Sequence, residues 1–441
     1  MKFKGITVVS PMWGERTLTD RMVFSVIHQY ISKENPFKIE LILVDDYLEG
    51  RGENNESPYD YYVSDEFKAL YDTDSIDIKL IKNKDHLYQG HSREIGFLAG
   101  KYDWFLLIDC DDMLSPNACD RYLCTIDEFY TDQDKLAKKE RKELACVNGF
   151  TYGFSTHNSE SKIAGHSIWV QGRCYNRKFI KQYDIHFPTG LNSRQGEDYP
   201  FIRKLDYAIG HSEKYLSIKI PYEEGQDCQA TAFWFPNENS LSRQDPHYGQ
   251  HLAGWTMQSS LEIQNYFEEF NKKYGFEDAE DEMMKREHLN MNIYAFYNLL
   301  DFLREVSMTD YEPLEEDWYA LRNAVKEMRR KLKEKYWDEL VYSSVEDMLY
   351  EVHHHSDVRF TESWIGTFYD YMNNDVILEI VKYSDVDRDI KYVGEKFDVF
   401  EMTYDQMMNY CHSLLFDNVP HEVHSKQVQA WVKRHSNYKE K

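Results

Sequence analysis

The chain has 441 residues, of which 42% are apolar and 15% aromatic, and its formal net charge is −25 at pH 7. This length suits two or three domains rather than one, and the apolar content is ample for buried cores. The negative balance disfavours a broad basic surface for nucleic acid, although a few basic residues in a local cleft can overrule the average.

The sequence carries no sign of a leader peptide or a membrane span. Its start, MKFKGITVVSPMW, lacks the long apolar segment of a signal peptide. No window approaches the roughly 18 apolar residues that a membrane helix needs. Seven cysteines are scattered without CxxC pairs, and their odd number argues against a full disulfide framework. We therefore expect a cytoplasmic protein with reduced thiols.

The first quarter of the chain alternates strand and helix patterns. Apolar and β-branched runs predict strands at 6–10, 39–46, 76–83 and 102–112, with helices at 17–31 and 92–101. Strands that alternate with helices predict a mostly parallel sheet, whose ligands gather at the carboxyl ends of the strands. Two acidic clusters of this sequence lie at such ends.

The pattern continues and then changes near Pro236. Predicted next are a lysine-rich helix at about 131–144, a strand at 143–154, and a strand that leads into a helix at 167–180. Apolar residues at helical spacing then predict helices at 259–276, 280–306, 316–337, 344–355 and 404–416. We expect an α/β domain over 1–254 and a mostly helical, acidic domain over 255–441.

An Asp-x-Asp pair follows the fourth predicted strand. Asp109 and Asp111 offer hard oxygen ligands that suit Mg²⁺ or Mn²⁺, and a nucleotide diphosphate would supply the rest of the shell. The pair is a weak motif by itself, and Asp112 is equally suited to cap the next helix. Three carboxylates within four residues need a positive partner, because they otherwise repel one another and titrate abnormally.

Other residues near the strand ends suit a nucleotide site. Asp45 and Asp46 can accept a hydrogen bond from a base or a ribose, or they can cap a turn. Trp13 follows the first strand, where its ring can stack on a base or pack inside the protein. Arg93 precedes the last strand and would clamp phosphates, unless it is an ordinary surface arginine.

Together these segments resemble the nucleotide-binding half of the inverting family 2 glycosyltransferases, which have the GT-A fold, a Rossmann-like α/β fold. The matching segments are SPMWG (10–14), VDDYL (44–48), QGHSRE (89–94) and IDCDD (108–112). The resemblance covers residues up to about 250. It implies a nucleotide sugar as donor, with UDP as the expected nucleotide. The donor contacts that it implies are Pro11, Trp13, Asp45, Asp46, Arg93 and Asp109.

Three later segments also resemble this family. QGRCYNRKFI (171–180) is similar to the segment that flanks the donor sugar, which implies a donor contact at Gly172. RQGEDYPFIRKL (194–205) supplies the pair Glu197 and Asp198, which these enzymes place beside the acceptor. NENSLSR (237–243) is similar to a late element in which many relatives have a histidine. Asn237 stands there, and the resemblance implies it as a metal ligand beside Asp109 and Asp111, with His247 and His251 as alternatives.

The chemistry implied by the resemblance is a direct displacement that inverts the anomeric centre. Asp198 would be the general base for the acceptor hydroxyl, with Glu197 as its rival. A metal on Asp111 would neutralise the leaving diphosphate. Glycans, cell-wall polymers, proteins and modified nucleobases all remain candidate acceptors.

The sequence also departs from the family. Tyr47 and Leu48 replace a small Gly-Ser pair, Glu94 replaces an asparagine, and residues 255–441 match no family. Two alternative functions stay open. A sugar-phosphate nucleotidyltransferase needs a glycine-rich basic loop after the first strand, which residues 11–16 do not supply. A non-catalytic nucleotide-sugar-binding protein would not need the acidic residues at 109, 111 and 198.

Overall fold

The computed structural model describes residues 3–14, 16–71, 75–153, 162–164, 170–188, 196–221, 230–235, 248–276 and 315. The chain divides into two compact units, Met1–Ser240 and Leu241–Lys441. The first unit is mixed α/β and contains a large, mostly parallel sheet. In the second unit the described residues are essentially one helix.

The strands of the first unit form two sheets. They are β1 (Gly5–Met12), β2 (Lys38–Asp45), β3 (Ile76–Lys82), β4 (Trp104–Leu107), β5 (Met113–Leu114), β6 (Glu143–Asn148), β7 (Thr151–Gly153), β8 (Lys162–Ala164), β9 (Arg173–Asn176), β10 (Tyr215–Lys219) and β11 (Ala232–Trp234). The large sheet has the order β10-β6-β9-β4-β1-β2-β3, and the small sheet has the order β5-β11-β7-β8.

The large sheet is parallel except at β9. Strands β1, β2, β3 and β4 pair in parallel, as do β6 and β10, whereas β9 runs antiparallel to both of its neighbours. All eight residues of β1 are buried, and so are seven of the eight in β2. Burial on both faces explains why these strands are mostly apolar instead of alternating between apolar and polar residues. The parallel α/β sheet predicted from the sequence is confirmed.

The described α-helices number seven, six in the first unit and one in the second. They are α1 (Arg16–Ile27), α2 (Asp65–Leu70), α3 (Tyr88–Ala99), α4 (Ala118–Gln133), α5 (Arg177–Gln182), α6 (Asp198–Gly210) and, in the second unit, α7 (Tyr248–Tyr274). Helix α3 packs so closely on β1 and β2 that a Cβ atom added at Gly96 would overlap the Val9 side chain. A side chain at that position would push α3 away from the sheet.

Two predictions of local structure were wrong. We predicted a helix at 131–144, but the helix in this region is α4, which begins at Ala118 and ends at Gln133. A short 3-10 turn and β6 follow it. The buried apolar face of α4 is formed by Ala118, Tyr122 and Ile126, which precede the predicted range. The lysine-rich stretch after α4 is exposed. The strand predicted at 143–154 is two strands, since β6 belongs to the large sheet and β7 to the small one.

The second unit is described through α7 alone, apart from residue 315. This helix confirms the helix predicted at 259–276, and it runs across residues 254 and 255, where we predicted a domain boundary. The other helices predicted for this half lie outside the described residues. No helix in the described parts of the chain is both long enough and apolar enough to cross a membrane.

Candidate active site

The register of the large sheet brings distant segments to one edge. Met12 of β1 pairs with Asp45 of β2, and Asp45 pairs with Lys82 of β3. Val9 pairs with Leu107, so β4 ends beside them. The segments that leave β1, β2, β3 and β4 therefore meet at one edge. Because β9 is antiparallel, it begins at this edge, just after Gly172.

Arg93 is the centre of the site. This residue of α3 is 2% exposed, and its Nη1 donates to Asp198 Oδ1 at 2.6 Å and also to Glu197 Oε1. Its Nη2 donates to Asp109 Oδ1 at 2.5 Å. One buried cation therefore joins the acidic segment after β4 to the acidic pair at the start of α6. The structure thus brings the predicted site residues Asp109, Glu197 and Asp198 together around Arg93. The positive charge of Arg93 explains why the acidic segment is tolerated.

The two carboxylates of the pair differ in access. The Glu197 side chain is 2% exposed, whereas that of Asp198 is 27% exposed. Asp198 is the first residue of α6, where the helix dipole favours a negative charge, and its Oδ2 also accepts the Val170 N–H at 3.4 Å. Of these two, only Asp198 has a substantially exposed carboxylate.

Charge and burial compete in this cluster. Burial acts to lower the pKa of Arg93, but the carboxylates of Asp198, Asp109 and Glu197 outweigh it and raise that pKa well above its usual value. Burial raises the pKa of Asp198 to about 8, an effect that Arg93 opposes and that Glu197 and Asp109 reinforce. The cluster therefore keeps its arginine charged and holds a proton at Asp198 near neutral pH.

Asp109 is held on both of its oxygens. Oδ1 accepts from Arg93, and Oδ2 accepts from Nε2 of Gln171, the residue before Gly172. The Asp109 side chain is still 30% exposed, so the carboxylate faces the edge of the sheet. Gly172 has φ +73°, a left-handed conformation that favours glycine, and its carbonyl accepts the Gly149 N–H at 2.7 Å.

Asp111 and Asp112 follow in a tight turn. The Asp111 carbonyl accepts from Arg21 Nη2, and the guanidinium of Arg21 lies 4.1 Å from the ring centre of Phe235. Asp112 is 1% exposed, and its Oδ1 accepts the Phe235 N–H at 2.8 Å. Burial and the neighbouring aspartates raise the pKa of Asp112 well above its usual value. Asp112 does not cap α4, because that helix has Asn117 at its N-cap.

The donor set near Asp111 fits a hard divalent cation in part. Asp112 Oδ2 and Gln171 Oε1 are buried oxygens without a hydrogen-bond partner in the described structure. Within the described ranges, no group of three or more His, Cys, Asp or Glu side chains is arranged to hold a metal ion. Mg²⁺ commonly binds through one or two carboxylates plus substrate phosphates, so a site completed by the substrate is compatible with these residues.

Asp45 and Asp46 both bind groups of the protein itself. Asp45 Oδ2 accepts from Arg51 Nε at 3.1 Å, and its Oδ1 accepts the Tyr47 N–H at 2.9 Å. Asp46 Oδ1 accepts from Asn83 Nδ2 at 2.8 Å and from the Leu87 N–H at 2.9 Å, and its Oδ2 accepts the Tyr88 N–H at 2.8 Å. These bonds fix the turn after β2 and the start of α3. A direct contact of either carboxylate with a base stays a prediction.

An aromatic cluster lies beside Asp46. Trp13, which is 37% exposed, has its ring centre 4.6 Å from that of His86 and 5.2 Å from that of Tyr47. The ring of Tyr88 lies 4.2 Å from that of His86. His86 Nδ1 lies 3.0 Å from Asp46 Oδ2, which anchors its ring. Tyr88 has φ +61°, a strained conformation for this residue.

The remaining predicted site residues are placed as follows. Pro11 is buried within β1 and pairs in register with Val44 of β2. Asn237 and His247 lie outside the described residues, and His251 lies in α7. Glu94, which departs from the family pattern, accepts from His186 Nδ1 at 2.7 Å and from the Phe187 N–H at 3.2 Å.

Arg21, Asn83, His86 and Gln171 are four of the residues at this edge that escaped the sequence analysis. Three of them carried a usable signal. Asn83 and His86 follow the predicted third strand, at the edge where ligands are expected, and Gln171 directly precedes the glycine that we selected. Arg21 carried none, because a charged residue within an amphipathic helix is typical of a solvated face.

Comparisons with known proteins give distant structural likenesses. No family model matches the chain, and a search of curated proteins finds no match. Among solved structures, S. aureus TarS 1–349 in complex with UDP is 14% identical, with a TM-score of 0.42 over 73% of this chain and 81% of that one. The same protein in complex with UDP-GlcNAc is 12% identical, with a TM-score of 0.41 over 76% of this chain and 92% of that one. A further structure of S. aureus TarS is 13% identical, with a TM-score of 0.40 over 74% of this chain and 48% of that one. The function is therefore inferred from the residues of this chain.

Proposed function

We propose that the chain is an inverting glycosyltransferase, which moves a sugar from a nucleotide-sugar donor to a hydroxyl group. One observation carries this proposal. Asp109 after β4 and the pair Glu197–Asp198 at the start of α6 converge on the buried Arg93, at the carboxyl edge of the sheet. Donor-side and acceptor-side carboxylates at one edge are what a direct displacement needs. The order of the motifs along the sequence supports the same reading.

Asp198 is the general base of this proposal. The acceptor hydroxyl gives its proton to an Asp198 oxygen while its own oxygen bonds to the anomeric carbon. The bond from that carbon to the diphosphate oxygen breaks, and its electron pair leaves with the nucleoside diphosphate. Asp198 suits the role better than Glu197, because its side chain is 27% exposed against 2%. A base with a pKa near the working pH is also an effective one.

The base of the donor would bind to the aromatic cluster of Trp13, Tyr47, His86 and Tyr88. Stacking on an aromatic ring contributes about 1–3 kcal/mol per base. Trp13 supports this role because its ring is 37% exposed and its ring centre lies 4.6 Å from that of His86 and 5.2 Å from that of Tyr47. The expected nucleotide is UDP, and we expect Gly172 and Asp109 to contact its sugar and ribose.

A divalent cation, Mn²⁺ or Mg²⁺, is part of the proposal. Asp111 would be its main ligand, with Asn237 and one oxygen of Asp109 as further candidates. When bound, the cation neutralises the charge that develops on the leaving diphosphate. The Asp109 carboxylate, which is 30% exposed and lies two residues before Asp111, supports a cation at this end of the site.

A panel of nucleotide sugars tests the proposal. Each donor is incubated with the protein and Mn²⁺, and the release of nucleoside diphosphate is measured; UDP-GlcNAc and other UDP-sugars come first. We expect one donor to respond, and we expect EDTA or Asp111→Asn to abolish the response. Binding of that donor, measured by calorimetry, should fall about tenfold or more in Asp111→Asn, on the scale of a lost charge-assisted contact.

The alternatives predict different products. Release of pyrophosphate from a nucleoside triphosphate and a sugar phosphate would replace the proposal with a nucleotidyltransferase. Tight donor binding without turnover, across a broad acceptor panel, would indicate a non-catalytic binding protein. Full turnover by Asp111→Asn in excess EDTA would remove the metal from the proposal.

A further inference from the structure

Arg93 has a geometry that a phosphate clamp does not need. Nη1 donates to Asp198 and Glu197, and Nη2 donates to Asp109, so both ends of the guanidinium fork are occupied by protein carboxylates. The side chain is 2% exposed and pairs with three carboxylates, those of Asp109, Glu197 and Asp198. An anionic phosphate approaching Arg93 would have to displace one of these carboxylates and approach the others.

We propose that Arg93 is a positioning residue, which fixes the acceptor-side carboxylates of Glu197 and Asp198 against the donor-side carboxylate of Asp109. The inference rests on the proposed function and assigns Arg93 a role other than donor binding. A planar fork with donors at fixed angles can hold two sites at a set separation. A lysine keeps the charge, but its single ammonium group cannot hold the same geometry.

The neighbouring residue supports this role from the same helix. Glu94 accepts the Phe187 N–H and pairs with His186. Phe187 stacks on Phe201 of α6, with ring centres 4.0 Å apart and planes at 4°. Two successive residues of α3 therefore hold the start of α6. Arg93 does so through its ion pairs, and Glu94 does so through Phe187, which packs on Phe201. Both contacts act on the turn that carries Asp198.

The test compares Arg93→Lys with Arg177→Lys. Arg177 is a matched control because it is also buried, at 6% exposure, and it donates to the Tyr102 carbonyl before β4 begins, at the opposite end of that strand from Asp109. We expect Arg93→Lys to lower kcat about 100-fold, the scale of a small misplacement of reacting groups. Its donor KM and its donor Kd should stay within about threefold of the wild type. Arg177→Lys should keep the wild-type kcat.

A second measurement does not depend on activity. Hydrogen exchange followed by mass spectrometry should show faster exchange at residues 197–201 in Arg93→Lys and unchanged exchange there in Arg177→Lys. A variant Arg93→Ala, if it folds, should recover part of its kcat in the presence of guanidinium ion but not of urea, which has the same shape without the charge.

A donor Kd raised tenfold or more in Arg93→Lys, with kcat near the wild-type value, would make Arg93 a phosphate clamp and overturn the proposal. Equal losses of kcat in both lysine variants would also overturn it, since they would indicate a general effect of disturbing a buried arginine. If the wild-type protein turns over no donor, the proposed function fails, and the exchange pattern then tests only whether Arg93 holds the start of α6.

Discussion

Glu197 and Asp198 are neighbours in the chain, yet their side chains differ in exposure. Both carboxylates bind Nη1 of Arg93, but only Asp198 has a partly exposed side chain. A carboxylate that is almost fully buried against a guanidinium stabilises the cluster, whereas one that also faces outward can meet a substrate. At the scale of single residues, access decides the assignment of the base.

Asp198→Asn should lower kcat by about 10²–10⁴, the usual contribution of general base catalysis, and should leave donor affinity nearly unchanged. The asparagine keeps the size of the side chain but does not accept a proton at neutral pH. Glu197→Gln should be milder in kcat and should lower the melting temperature more, because it weakens a buried ion pair. Steady-state kinetics and thermal melts of both variants are the measurement. An inactive Glu197→Gln beside a near-normal Asp198→Asn would exchange the two roles.

The pH dependence follows from the same carboxylate. The base must be deprotonated to act, and burial raises the pKa of Asp198 to about 8. We therefore expect kcat/KM to rise about tenfold per pH unit below 8 and to level off above it, since kcat/KM reports the free enzyme. The profile is measured from pH 6 to 9.5 at saturating Mn²⁺. A plateau already reached at pH 6 would mean that Asp198 is not the group that limits the rate.

Trp13→Ala should raise the donor KM at least about fivefold, the smallest change expected from losing base stacking, with little change in kcat. Asp46 is a poor probe of the same contact, because its removal would release the start of α3 and His86 together. Tyr30→Ala is the control, since Tyr30 is an exposed aromatic residue that follows α1. An unchanged donor KM in Trp13→Ala would move the base to another surface.

At the scale of elements, α3 is the helix that organises the site. Asp46 binds the N–H groups of Leu87 and Tyr88 at its start, Arg93 and Glu94 hold α6 from its middle, and Gly96 lets it lie against β1. A shift of α3 would therefore move the aromatic cluster and the carboxylates that bind Arg93 at once. The contribution of the Glu94–His186 contact to stability can be tested by varying the pH.

Hydrogen bonding to Glu94 raises the pKa of His186 to about 9, against the effect of burial, and Asp184 adds to the rise. A raised pKa means that the folded protein prefers the protonated histidine. The stabilisation is thus complete below the unfolded pKa of about 6.5 and is lost as the pH rises through about 9. The melting temperature of His186→Gln should fall below that of the wild type at pH 6 and should approach it at pH 10. His28→Gln, at an exposed histidine after α1, is the control. A pH-independent difference would contradict the ionic contact.

At the scale of the whole molecule, the described site residues that form the Arg93 cluster and the aromatic cluster all belong to the unit Met1–Ser240. A chain that ends at Ser240 should therefore bind the responsive nucleotide with a Kd within about threefold of the full chain. A cut after residue 254 would instead leave a broken first turn or two of α7. Calorimetry on the truncated chain, with circular dichroism to show that it is folded, is the measurement. Loss of binding by a folded truncation would mean that Leu241–Lys441 contributes to the donor site.

The sequence by itself was sufficient to predict the strands of the parallel sheet and the edge of that sheet where ligands are expected to bind. Buried parallel strands must be continuous apolar runs, so β1, β2 and β4 could be read directly, and the acidic residues that interrupt such runs stood out at their ends. The same local logic misplaced α4, because the lysine-rich stretch has helix-forming residues but no apolar face to bury.

Only the tertiary structure decided which of these residues act on one another. Arg93, Asp109 and Asp198 lie on three different elements, and their contacts depend on the register of the sheet and on the packing of α3 and α6. No pattern in the sequence encodes that Arg93 faces carboxylates, that Asp46 is occupied by the start of α3, or that Gln171 reaches Asp109. Spacing along a chain fixes local conformation, whereas burial and charge pairing are set by elements that meet from far apart in the sequence.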